Sequence, residues 1–396
     1  NISKEEFFTK ECLYRKKADS QPLVIGIPKE KLLMEPRLPF TPEGVYILKN
    51  AGFEIIFEAG AGAGINYTDQ SYSEVGAFIS DNKTVVYQAD VLFKMSPLTI
   101  EEAKLIKEKA TVFSMLQLNS LSAECIKILQ QKKITVIAYD FLKDEEKNSA
   151  VLNSIREIEG NVAMSVAGEL LSNQHGGKGI ILGGVAGISP TEVVILGAGI
   201  SGLAAARIAF SLGCNVKVFD FNVDKLRNVH KTISPSIFTS VFHPLTLSKS
   251  LFSADVVIGC LRNMSENQRL MISEDAVKTM KKGSIIVDIS VDQGGCFETS
   301  VCSSINKPLN IQYGVVHYCV PNISARVSRT ASMALSNVLA EMMLTVNACG
   351  GINETIKEQP GFCSGVYLYN GILTNAYIGS HLGLPSNDIR LLLAAF

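Results

Sequence analysis

The sequence predicts an α/β protein with two doubly wound parallel sheets and a cleft between them, and three observations carry the prediction. At roughly 100 to 200 residues per domain, the 396 residues make two domains or three, each able to bury its own core. Short β-branched runs alternate with helix-length segments rich in Glu, Lys, Leu and Ala, and parallel strands need crossovers of about a dozen residues, which these intervals supply. The runs fall into two series, separated by an uninterrupted helical pattern from about 151 to 171.

In chain order, a polar extension over residues 1–21 precedes the first series: LVIGI (23–27), EIIFE (54–58), VLFK (91–94), TVFSML (111–116) and TVIAYD (135–140). The second series is VVIL (193–196), VKVFD (216–220), DVVIGC (255–260), SIIVDIS (284–290) and VVHYCV (315–320). A second long helical pattern without Pro, from about 328 to 346, follows it. Two long helices bracketing the second sheet read as connectors, so the C-terminal segment is expected to return to the first domain. The expected division is therefore a domain of residues 22–152 plus 328–396, with the domain of residues 153–327 inserted in it.

Lys plus Arg is 37 and Asp plus Glu is 38, a net charge of −1. Without a charged block, neither nucleic acid nor a membrane surface is an expected partner. Apolar residues at 47% and charged residues at 19% suit a folded α/β enzyme rather than a disordered chain. The nine cysteines are scattered and never spaced C-x-x-C, which argues against zinc and for reduced thiols in a cytoplasm. No segment reads as a signal peptide or a membrane span, and a cytoplasmic location is expected.

The strongest local signal is VVILGAGISGLAAARIAFSLGCNVKVFD, in which Gly197, Gly199 and Gly202 lie between a strand and an Ala-rich helix and Asp220 ends the next strand. The first glycine permits the tight turn, the second lets the backbone approach a pyrophosphate, and the third lets the helix pack on the sheet. The free N–H groups of the helix N-terminus then face the phosphates. Asp220 would accept ribose hydroxyls and repel a 2′-phosphate, and Phe221 and Asn222 supply no cation, so NAD is favoured over NADP. The pattern is that of a Rossmann-like domain. GAGAG at 60–64 reads as a loop, and LGGVAG at 182–187 reads either as a phosphate cradle or as a hairpin-like connection.

A small anionic substrate needs cations. Arg37, in the irregular loop KLLMEPRLPFTPEGV, reads either as a solvated surface residue or as a planar carboxylate clamp. Lys94 ends a strand, and open α/β sheets bind ligands beyond the carboxyl ends of their strands. Asp292, before two glycines in SIIVDISVDQGGCFE, is the better catalytic candidate there, because Asp288 lies inside the apolar strand. His317 and Asn322, near a strand end, are candidates to line the cleft. All five histidines lie beyond residue 170, so no imidazole is expected from a first-domain loop, and no hydrolase triad or metalloprotease motif is visible.

IGIPKE, the Arg37 loop ending in TPEGV, FEAGAGAG, LFK, LGGVAG, VILGAG, VFDFNVDKLR, VDISVDQGGCFE and HYCVPN occur in this order. Together they resemble the alanine dehydrogenase family from about Leu23 to the C-terminus, and more weakly the NAD(H)-binding component of nicotinamide nucleotide transhydrogenase. The resemblance implies reversible oxidative deamination of L-alanine to pyruvate and ammonium, with hydride passing from Cα to NAD. It gives Arg37, Lys94 and Asn322 to substrate binding and Lys94, Gln117 and Asp292 to catalysis. Around the turn it gives Gly197, Gly199, Ile200, Ser201, Gly202 and Asp220 to the cofactor. Further along the chain, Lys225, Cys260, Leu261, Ile289, Asp292, Val320 and Asn322 join that set. No metal is expected, and a homo-oligomer, hexamer or dimer, is implied.

The sequence departs from the family in two places. Gln117 stands where the family's catalytic His is expected; an amide can hydrogen-bond a substrate oxygen but cannot titrate near neutral pH. Arg156 and Glu159 stand where small residues are expected, and an Arg–Glu pair at this spacing on one helix reads either as a surface bridge or as a change in the cofactor cleft. The rival readings are a transhydrogenase-like component, a dehydrogenase for another 2-oxo or amino acid, and a non-catalytic NAD-binding protein.

Overall fold

The structure is a computed structural model that describes residues 22–30, 35–144, 148–261 and 271–394; the expected N-terminal extension lies outside them. The chain divides into two compact units, Asn1–Leu152 with Ser328–Phe396, and Asn153–Val327.

The first unit carries strands β1 (Val24–Ile27), β2 (Glu54–Glu58), β3 (Phe78–Ser80), β4 (Val91–Phe93), β5 (Thr111–Ser114) and β6 (Thr135–Ala138). The second carries β7 (Glu192–Leu196), β8 (Asn215–Phe219), β9 (Phe238–Ser240), β10 (Val256–Gly259), β11 (Ile285–Asp288), β12 (Leu309–Gln312) and β13 (Val315–Tyr318). The C-terminal segment adds β14 (Val366–Tyr369) and β15 (Ile372–Leu373). Three helices matter below: α1 (Ala150–Leu170), α2 (Ile200–Ser211) and α3 (Ser328–Ala348).

In the first unit the strand order is β15-β14-β6-β5-β4-β1-β2-β3. β1 to β6 pair in parallel. The chain runs outward from β1 through β2 to β3, then returns to build β4, β5 and β6 on the other side, so the winding reverses between β1 and β4. The core against this sheet is aliphatic on one face, with Leu92, Val112, Val136 and Leu368. Aromatics mark the other, where Phe93 stacks on Phe113 with centroids 4.6 Å apart. Helix α3 lies against the Arg37 loop through serines: the Ser332 hydroxyl accepts the Leu38 N–H at 2.8 Å and that of Ser336 accepts the Thr41 N–H at 3.1 Å. A side chain at Gly44 would collide with Ser336.

The second unit has the order β12-β13-β11-β10-β7-β8-β9, with the reversal between β7 and β10. Val193, Ile195, Val256, Ile258, Ile285 and Val287 form its centre, with Ala205, Ala206 and Ala209 of α2 packed on them. These small residues let the helix approach the sheet closely.

The parallel sheets of the sequence reading are extended by antiparallel edges. β14 pairs antiparallel with β6 and β15 with β14, and β12 pairs antiparallel with β13. The β14–β15 turn holds Asn370 at φ 48° and Gly371 at φ 81°, the left-handed pair of a tight hairpin. The segment GAGAG, expected to be a loop, closes into a 3-10 helix over Ala61–Ile65.

Candidate functional site

The second unit places the nucleotide-binding candidates along one rim, at the carboxyl ends of its parallel strands. β7 runs into Gly197 at φ 106°, a left-handed conformation that favours glycine. A Cβ at Gly202 would collide with the Gly197 carbonyl oxygen, whereas one at Gly199 would meet no atom within 4 Å. The turn is therefore tight where the helix must pack and open where a phosphate must approach. Gly199 caps α2 without a side-chain bond, so the first N–H groups of the helix remain directed outward, as a dinucleotide diphosphate requires.

Asp220 is oriented by the backbone on both sides of it. Its Oδ2 accepts the Ala198 N–H at 2.7 Å and its Oδ1 the Asn222 N–H at 2.8 Å. The residue expected to read the ribose thus also pins the glycine turn. Phe221, beside it, is exposed. Lys225 is half-buried in the first turn of the next helix. The Cys260 carbonyl and the Leu261 N–H sit where a side chain at Gly197 would go. Ile289 and Val320, both buried, leave the ends of β11 and β13. Asn322 has φ 59° and accepts the Ser324 hydroxyl at 3.2 Å.

Asp292 stands exposed on a short turn, Val291–Gln293, that ends at Gly294 with φ 98°. Asp288 is buried and fully occupied, accepting the Ser290 and Cys296 N–H groups and the Ser300 hydroxyl. Burial pushes its carboxyl up and these bonds oppose the shift. His317, a candidate to line the cleft, is instead buried within the second unit. It is 1% exposed, its Nε2 lies 2.9 Å from the Thr299 hydroxyl and its Nδ1 3.1 Å from the Val315 carbonyl. Burial pushes its pKa down, and both ring nitrogens are engaged inside the unit, which makes it a structural residue. His381 belongs to the first unit, on the helix Ala376–Leu382 of its C-terminal segment rather than on a loop.

Glu159 of α1 is buried, with the Ser201 hydroxyl 3.4 Å from its Oε2. Gly160 beside it admits no side chain, because a Cβ would strike the Ser201 carbonyl. Glu159 is therefore a buried residue against the first turn of α2, not a surface one.

The first unit gathers a second rim at the carboxyl ends of β1, β4, β5 and β6. Arg37 is 1% exposed, and Glu35 grips its Nε and Nη2 at 2.7 and 2.6 Å. A solvated surface arginine is thus excluded. Lys94 is 3% exposed; both oxygens of Glu102 accept its ammonium at 2.8 and 2.9 Å, and Glu30 lies 3.8 Å away. A capping box aims Glu102: its carboxylate accepts the Thr99 N–H while the Thr99 hydroxyl accepts the Glu102 N–H. Burial raises the Glu102 carboxyl, yet Lys94 and the hydrogen bonds outweigh it and hold the group below the usual carboxylate range. Gln117 leaves the end of β5 half-buried, its Oε1 3.3 Å from the Ser120 hydroxyl.

Sequence reasoning missed Glu30, Glu35, Glu102, Tyr139 and Asp140 on this rim. The strand-end rule applied to Lys94 covers Asp140 equally, since it closes the run TVIAYD. Tyr139 donates its hydroxyl to the Lys94 carbonyl at 3.0 Å.

Fold and rims define a two-unit, dinucleotide-binding α/β protein whose other sheet carries a rim with a buried guanidinium and ammonium. The family models for the N- and C-terminal domains of alanine dehydrogenase/PNT match residues 26–159 and 163–376. The chain belongs to that family. It is 34% identical over 365 residues to the alanine dehydrogenase of Methanococcus maripaludis, covering 92% of this chain and 97% of that protein. It is 32% identical over 369 residues to that of Staphylococcus saprophyticus, covering 93% and 99%. A solved L-alanine dehydrogenase superposes with a TM-score of 0.85 at 29% identity, over 91% of this chain and 99% of that one. A Sinorhizobium meliloti transhydrogenase shares the fold, with a TM-score of 0.74 at 21% identity over 90% and 99%. Among the described residues, no helix is long and apolar enough to cross a membrane.

Proposed function

We propose that this chain is an NAD-dependent alanine dehydrogenase, interconverting L-alanine with pyruvate and ammonium. The observation that carries the reading is that one chain of this family holds both halves of the chemistry. The glycine turn pinned by Asp220 suits a dinucleotide without a 2′-phosphate, and a buried guanidinium and ammonium stand at the winding reversal of the other sheet. When bound, NAD supplies the acceptor for the hydride leaving Cα.

In this reading Arg37 holds the substrate carboxylate, its plane fixed by Glu35. Lys94 stabilises charge on the carbonyl or carbinolamine oxygen. Gln117, with its amide oxygen turned to Ser120, donates its N–H to the same oxygen. Asp292, on its exposed turn, moves the proton as the carbinolamine forms and collapses, and Asn322 helps to orient the substrate. Deamination consumes a water, whose oxygen becomes the pyruvate carbonyl, and releases ammonium and a proton to solvent; amination runs the same balance in reverse. A cytoplasmic homo-oligomer, hexamer or dimer, completes the proposal.

The test follows NADH absorbance with purified protein and pyruvate, with and without ammonium, for the wild type and Gln117→His. Ammonium-dependent oxidation by the wild type is expected. If NADH binds but neither protein turns over, the alanine assignment fails and a non-catalytic or transhydrogenase-like reading replaces it.

A further inference from the structure

The substrate rim holds more acid than base. Its buried cations, Arg37 and Lys94, each already grip a carboxylate, Glu35 and Glu102. Glu30 shares the Lys94 ammonium at 3.8 Å and accepts the Met95 N–H at 2.7 Å. Asp140 differs from all of these. It is 6% exposed, its Oδ1 accepts the Leu116 N–H at 3.0 Å, and among the described residues no cation pairs with it.

Asp140's neighbours bring no compensating cation; the Leu116 N–H and its own backbone N–H offset its burial only in part. On its own turn stands Tyr139, with Arg37, Glu35 and Glu30 near that ring. On β14 Tyr367 faces it. On the β5 side stand Leu116 and Gln117, both uncharged, and the Ser149 hydroxyl donates to the Asp140 carbonyl. An ionised carboxylate buried without a cation is costly, so the group takes a proton instead. Burial accordingly pushes the Asp140 carboxyl up to about 7.

We propose that Asp140 is the proton-holding residue of the substrate rim: neutral, it leaves Arg37 and Lys94 to an anionic 2-oxo acid, and ionised, its charge beside Leu116 and Gln117 opposes that acid. Asp140 is a positioning residue in this scheme. It sets the charge that the substrate meets, and it supplies the titration near neutrality that an amide at position 117 cannot. A zwitterionic amino acid, whose ammonium offsets its carboxylate, is opposed less, so rising pH shifts the preference of the rim from oxo acid toward amino acid. The inference rests on the dehydrogenase reading above.

The experiment measures binding of oxamate, an isostere of pyruvate, to the full chain with saturating NADH. Wild-type affinity is expected to fall about ten-fold from about pH 6 to about pH 8.5, the order that one added charge exerts in a partly buried site. Asp140→Asn is expected to keep the low-pH affinity throughout, and Asp140→Glu to restore the decline. A decline in Asp140→Asn equal to that of the wild type overturns the proposal while leaving the dehydrogenase reading intact. Absence of oxamate binding at every pH overturns both. Should Asp140→Asn not fold, the protonated-carboxyl infrared band is followed in Glu30→Gln, where it must fade in step with oxamate affinity. A band that does not change over the range overturns the proposal.

Discussion

Lys94→Met would leave two buried carboxyls without their cation. Glu102 holds the ammonium with both oxygens and Glu30 lies 3.8 Å from it. Methionine fills the volume of the lysine stem and supplies none of its charge. Breaking a buried pair by removing one partner costs about 3 to 5 kcal/mol, because the other charge is left desolvated. The lower end applies, since Lys83 stands 3.7 Å from Glu102 and is partly exposed, able to take up some of the charge. For a unit of this size about 3 kcal/mol corresponds to a fall in Tm of roughly 6 to 12 °C. The sign with pH follows from Glu102, whose folded carboxyl lies below its ordinary value. Its contribution is complete above the unfolded value of about 4.5 and disappears as pH falls through the folded one, so the gap between wild type and variant closes in acid. Differential scanning calorimetry at neutral and acidic pH measures this directly. Lys94→Met/Glu102→Gln is expected to recover most of the stability and none of the turnover, which separates the structural role of the pair from the catalytic one proposed for Lys94. A Lys94→Met protein that melts with the wild type at neutral pH would refute the reasoning.

Gly199→Ala is expected to melt like the wild type, since a Cβ there meets no atom within 4 Å, yet to lose NADH affinity at least about ten-fold by filling the phosphate approach. Gly202→Ala should fail in the opposite order, with the fold disturbed because the methyl strikes the Gly197 carbonyl; melting curves beside fluorescence titration with NADH distinguish them. Asp140→Asn should gain stability relative to wild type as pH rises from about 4 to about 7. The wild-type carboxyl is pushed up to about 7, so its stabilising proton is present below the unfolded value and lost through the folded one; urea melts at several pH values check this. Asp220→Ser with Phe221→Arg should admit NADPH in a binding titration, at a cost of about 1 to 3 kcal/mol in stability, because the Ala198 N–H loses its acceptor.

The dinucleotide turn was legible because its requirements are local. A glycine that must take φ 106° and another that cannot carry a methyl are written into the spacing of Gly197, Gly199 and Gly202. The alternation of strands and helices was legible for the same reason, as hydrophobic period and crossover length act within a few tens of residues. The β14–β15 hairpin was equally local, in the Asn370-Gly371 pair, and went unread. The short edge strands β3 and β9 had little to reveal them: each is three residues long, with few buried side chains to impose a pattern.

What the tertiary structure decided is which charges meet. Glu102 reaches Lys94 because a capping box turns it back on the strand end, and Glu30 reaches the Met95 N–H across the pairing of β1 with β4. His317 and Asp140 stand near the ends of strands that look alike in the sequence. One turns inward to a hydroxyl and a carbonyl and becomes part of the core; the other meets backbone N–H groups but, among the described residues, no cation, and burial pushes its carboxyl up. Residue type and spacing establish that a group can ionise. Whether it does depends on burial and on the partners within hydrogen-bond reach, and those are supplied by residues distant in sequence that only the folded sheets bring together.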